Sequence, residues 1–115
     1  MRMLITLTVA AGIVAAACGP SASGLPEVRV VMTDFKFAPQ RIEIPAGRKV
    51  EFKLTNNGRV EHDITAEGVG LHAHVMSAER LAFESGPFTP GEYDIFCSVV
   101  GHREAGMVGR IVVKP

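Results

Sequence analysis

The chain has 115 residues, with 12 basic and 12 acidic side chains, a formal net charge of zero, 47% apolar residues and two cysteines. So even a balance gives no electrostatic reason to seek nucleic acid, and the length suits one compact domain and not two.

The chain opens on a segment that does not read as part of a fold. Arg2 is a minimal positive region, Met3 to Val14 is a run of apolar and small residues, and Ala15-Ala16-Ala17 is a small-residue cleavage zone, so residues 1–17 are expected to be an export signal. The apolar run is too short for a comfortable membrane span. Residues 18–26, beginning Cys18-Gly19-Pro20-Ser21, have the composition of a flexible linker. The Ala-Ala-Ala-Cys junction resembles a bacterial lipoprotein signal, with Ala15 standing where a larger aliphatic residue is usual. That resemblance implies a lipid on Cys18 and a protein tethered in the periplasm or on the outer face of the cell membrane. Plain secretion after cleavage near Ala17, or an uncleaved anchor, are the alternatives. Loss of the leader removes only Arg2 from the charge count, leaving eleven basic against twelve acidic residues.

If Cys18 carries a lipid, Cys97 is the only thiol of the globular part and no internal disulfide can form. A free thiol in an oxidising compartment is a liability, and a bound metal is the economical explanation for it.

Residues 27–115 are expected to form the domain. Short alternating runs are separated by Pro, Gly and Asn: Glu27 to Phe35, Arg41 to Ile44, Lys49 to Thr55, Val60 to Thr65, Glu92 to Cys97 and Gly109 to Val113 read as strands. Ala38-Pro39, Pro45-Ala46-Gly47, Asn56-Asn57-Gly58 and Thr89-Pro90-Gly91 read as the breaks. Residues 68–83 follow no clear period, and Ser77 to Leu81 fits a helical turn as well as a strand. About seven to eight short strands with frequent turns indicate an all-β sandwich or barrel.

Cys97, His102 and Met107 stand on one segment between the last two strands, which puts a thiolate, an imidazole and a thioether on a single loop. A second imidazole would complete the ligand set of a mononuclear copper electron-transfer site, and His62 is the candidate. Taken singly, each residue has an ordinary explanation: a small buried hydrophobe, a half-buried or solvated histidine, a core methionine. Their joint spacing is what points to metal. Zinc also accepts Cys and two His, but a thioether favours copper. Gly101 and Gly106 flank His102 and Met107, where a tight loop needs backbone freedom. His72 and His74 form a separate His-x-His, which on a strand would share one face and could hold a second metal ion or help to load copper.

With these residues in view the chain resembles the cupredoxins, the small blue-copper proteins, over roughly Glu27 to Lys114. The resemblance implies a Greek-key β-sandwich and one type 1 copper ion bound by His62, Cys97 and His102 with Met107 as axial ligand. It implies that the Asp63 amide bonds the Cys97 sulfur while its side chain ties to Ser98, that Glu104 faces away from the metal, and that His102 is the electron exit route through a small apolar patch formed by Val99, Val100, Ala105 and neighbours of Met107. Val100 stands where the family often has Pro. In copper enzymes of related fold the residue beside the ligand Cys is a His, whereas Phe96 and Ser98 flank Cys97 here, and a binuclear centre would need two cysteines on the loop. The expectation is therefore a monomeric electron carrier, not an enzyme, meeting transient protein redox partners. A copper delivery or storage protein without electron traffic is the alternative.

Overall fold

A computed structural model describes residues 23–115; the expected export signal, Cys18 and most of the linker lie outside the described residues. Nine strands build the domain: β1 Glu27–Thr33, β2 Lys36–Ala38, β3 Arg41–Pro45, β4 Val50–Asn56, β5 His62–Ala66, β6 Leu71–Val75, β7 Arg80–Ser85, β8 Gly91–Phe96 and β9 Val108–Lys114. The only helical element among the described residues is a single 3-10 turn at Glu67–Val69.

The strands form two sheets, ordered β2-β1-β4-β7 and β3-β9-β8-β5-β6. Alternation in the sequence decides which face each strand buries. Val28, Val30 and Met32 of β1 point inward beside Val50, Phe52 and Leu54 of β4, and Ile64, Ile95, Ile111 and Val113 answer from the other sheet. Side chains of this kind contribute roughly 1.5–3 kcal/mol each when fully buried. Phe52 anchors the middle, stacked on Phe83 at 5.2 Å and meeting Phe88 edge-on at 6.3 Å.

The strand count is nine where the sequence suggested seven to eight, and the extra elements have physical reasons for being hard to read. β2 is three residues long and is defined by its pairing to β1. The segment 68–83 contains β6 and the first four residues of β7. β6 alternates buried Leu71, Ala73 and Val75 with exposed His72 and His74. β7 is an edge strand with no fully buried side chain, so it lacks the apolar period that marks a half-buried strand. Its place is set by pairing to β4 instead.

Two registers position the site. β5 and β8 pair antiparallel with Thr65 opposite Phe96, which sets the start of β5 against the residues just after β8. β8 and β9 pair antiparallel with Phe96 opposite Val108, and one step beyond, the Cys97 amide donates to the Met107 carbonyl at 3.1 Å.

Candidate metal centre

The second register closes the loop between Cys97 and Met107 at its base. Inside it, the chain winds into tight turns: the His102 amide donates to the Val99 carbonyl at 3.0 Å, the Ala105 amide to Gly101 at 3.1 Å, and the Met107 amide to His102 at 3.1 Å. Gly101 and Gly106 adopt φ of 85° and 103°, the left-handed region that a side chain disfavours, as their positions around the loop suggested.

The first register delivers His62 to this loop. His62, at the head of β5, is fully buried, as are Cys97 and Met107, and His102 is 9% exposed. The two imidazole Nδ1 atoms lie 3.1 Å apart; Cys97 Sγ is 3.5 Å from His102 Nδ1 and 3.9 Å from His62 Nδ1. Among the described residues this is the one group of three His, Cys, Asp or Glu side chains whose ligand atoms all fall within 4.8 Å of one another. Nitrogen and sulfur ligands sit about 2.0–2.3 Å from a bound ion. Atoms sharing one ion are then about 3–4 Å from each other, so this donor set fits a metal. The Met107 side chain is buried in the core that includes Cys97.

Neighbouring groups hold the donors. The Asp63 amide donates to Cys97 Sγ at 3.4 Å. The Asp63 carboxylate accepts from the Ser98 amide at 2.8 Å, the Ser98 hydroxyl at 2.5 Å and the Thr65 hydroxyl at 2.9 Å. Both Asp63 interactions match what the resemblance implied. Burial pushes the Cys97 thiol above its ordinary range, and the Asp63 amide opposes part of that rise.

Two contacts had no sequence expectation. Asp34, in the turn between β1 and β2, has its Oδ1 3.0 Å from His62 Nε2. The Arg59 amide donates to the same carboxylate at 3.0 and 3.2 Å, and these hydrogen bonds, the Arg59 one foremost, hold Asp34 below the usual carboxylate range. Phe35, the next residue, adopts φ of 69°, strained for a side chain of this size, and sets its ring edge-on to His102 at 5.0 Å. A turn reading Asp34-Phe35-Lys36 carries no sequence signal for either role, because its partners are 28 and 67 residues away.

Asn56 is the third unforeseen member. Fully buried, it donates to the Val60 and Val75 carbonyls at 2.9 Å and accepts from the Gly58 amide at 2.8 Å, pinning the turn that leads into His62. His72 and His74 do share one exposed face of β6, but each has a separate partner: His72 lies 2.8 Å from the Thr65 hydroxyl, and His74 lies 2.9 Å from the Glu61 carboxylate. They join no three-ligand group among the described residues. Glu104 is exposed on the loop.

Comparison with known proteins agrees with this architecture. The family described as Cupredoxin-like domain matches residues 3–113. The chain is 33% identical to the copper-resistant cuproprotein CopI of Rubrivivax gelatinosus over 117 residues, covering 84% of this chain and 71% of that one. It is 31% identical to plastocyanin of Dryopteris crassirhizoma over 101 residues, covering 76% of this chain and 97% of the relative. In three dimensions it is similar to reduced auracyanin of Roseiflexus castenholzii, with a TM-score of 0.69 and 14% identity over 77% of this chain and 97% of that one, a likeness of fold. The chain belongs to the cupredoxin-like family, whose members bind copper.

Proposed function

We propose that this protein is an extracytoplasmic type 1 copper protein that transfers single electrons between redox partners, with copper held by His62, Cys97, His102 and, axially, Met107. The observation that carries the reading is the convergence of two imidazole nitrogens and one thiol sulfur, 3.1 to 3.9 Å apart, in a buried pocket.

Bound copper would supply a one-electron Cu(II)/Cu(I) couple, with the thiolate as its strongest ligand and the thioether as a weak tuning ligand. The rest falls to the chain. His62 is fixed by a strand, and Cys97 and Met107 by the paired ends of β8 and β9, so the donors are held by the scaffold and need little rearrangement when charge changes. Full burial of His62 and Cys97 keeps water from them. His102 is the ligand nearest to solvent, and it is bordered by Phe35, 41% exposed, and by a loop that carries Val100, 97% exposed. A small apolar surface of this kind suits brief encounters with a protein partner. The reading assigns no catalytic residue to the chain. It includes export, lipid attachment at Cys18 and a monomeric domain.

A second reading, copper delivery or storage without electron traffic, has its own support in the name of the CopI relative, a copper-resistant cuproprotein. Spectroelectrochemistry of the copper-loaded protein separates the two. A carrier gives an intense thiolate-to-Cu(II) band that bleaches and returns through repeated one-electron cycles. A delivery protein stays colourless with Cu(I) and surrenders its metal to a mild chelator.

A further inference from the structure

His62 has two ring nitrogens, and only Nδ1 faces Cys97 and His102. Nε2 faces the other way, toward Asp34 Oδ1 at 3.0 Å. A carboxylate accepts and does not donate, so this contact places the His62 proton on Nε2 and leaves the Nδ1 lone pair free for a metal. The carboxylate is itself fixed, because the Arg59 amide donates to both of its oxygens.

The turn before β5 leaves room for this contact because residue 58 carries no side chain. A Cβ added to Gly58 would run into Asp34 Oδ1 and lie 2.7 Å from His62 Nε2 and 3.0 Å from Asn56 Oδ1. Gly58 is thus the residue over which the Asp34–His62 bond passes. The same β1–β2 turn sets Phe35 against His102, so one short turn braces both imidazoles.

We propose that Asp34 is a positioning residue that forms a carboxylate–imidazole relay through His62 and biases the site toward Cu(II), lowering its reduction potential. The inference rests on the copper reading above. An anionic acceptor on Nε2–H makes Nδ1 a stronger donor, and a negative charge beyond the ligand favours the more highly charged metal state. No bond is made or broken and no proton leaves His62 when the electron arrives; Asp34 acts through the strength of the bond it accepts.

The test compares the copper-loaded full chain with Asp34→Asn, which keeps a hydrogen-bond acceptor and removes the charge. Asp94→Asn, which removes an exposed carboxylate paired with Arg110 on β9, serves as a charge control. The Asn variant is expected to lose about tenfold of the preference for Cu(II) over Cu(I), which is a rise of about 59 mV in a one-electron potential, while the control stays with the parent. Nitrogen-15 NMR of the metal-free chain gives a second readout: His62 carries its proton on Nε2 in the parent, and Asp34→Ala loses that preference. An Asp34→Asn potential equal to that of the parent, or shifted no more than the control, overturns the relay. A parent chain that develops no thiolate-to-copper band at all overturns the copper reading instead, so the two failures are distinct.

Discussion

The Asp63 carboxylate accepts two hydrogen bonds from Ser98, one from its amide and one from its hydroxyl, while the Asp63 amide donates to the sulfur of Cys97. One residue of β5 therefore fixes both the start of the ligand loop and the sulfur beside it. Asp63→Asn keeps the amide bond to sulfur and removes a buried charge, so its reduction potential is expected to rise with the visible band retained. Asp63→Ala strips three hydrogen bonds and is expected to cost about 1–3 kcal/mol of folding stability, measured by denaturant titration of the metal-free protein. A potential unmoved in Asp63→Asn would show that the carboxylate acts on the loop alone.

Met107 is buried whether or not it ligates metal, so packing and ligation must be separated. Met107→Leu nearly conserves volume and is expected to change metal-free stability by less than about 1.5 kcal/mol. Loss of the thioether should nevertheless shift the absorption maximum and raise the potential. A variant that matches the parent in both spectrum and potential would make Met107 a core residue only.

How much of this was legible in the sequence follows from the range of each interaction. Cys97, His102 and Met107 share one loop, so their spacing is visible directly, and His62 stands out as the imidazole delivered by a strand. Six of the nine strands, β1, β3, β4, β5, β8 and β9, were legible as short apolar-rich runs between turn residues. Asp34 was invisible because the sequence reads it as the end of the Glu27 to Phe35 strand run, whereas β1 ends at Thr33 and the turn that follows carries Asp34 to His62. β7 was invisible because its side chains are largely exposed, and only its ladder with β4 makes it a strand. The candidate ligands could be read from local pattern, whereas the groups that orient them depend on pairings that only the folded chain defines.

Gly58 tests whether the turn before β5 sets the site. Its backbone is not in the left-handed region, so Gly58→Ala acts through the crowding of Asp34 and His62 and not through φ. Displacement of the Asp34–His62 bond is expected to weaken copper binding about tenfold or more, read by competition with a chelator of known affinity. Affinity equal to that of the parent would mean that the turn relaxes around the methyl group without disturbing His62.

Whether one copper ion is gathered by His62, Cys97, His102 and Met107 is decided by the absorption and EPR spectra of the copper-loaded chain beside Cys97→Ser. Copper held by these four side chains requires an intense visible band from the parent at one copper per chain, and the disappearance of that band in Cys97→Ser while the metal-free variant still folds. A parent that stays colourless with Cu(II), or a Cys97→Ser protein that keeps the parent spectrum, would contradict it.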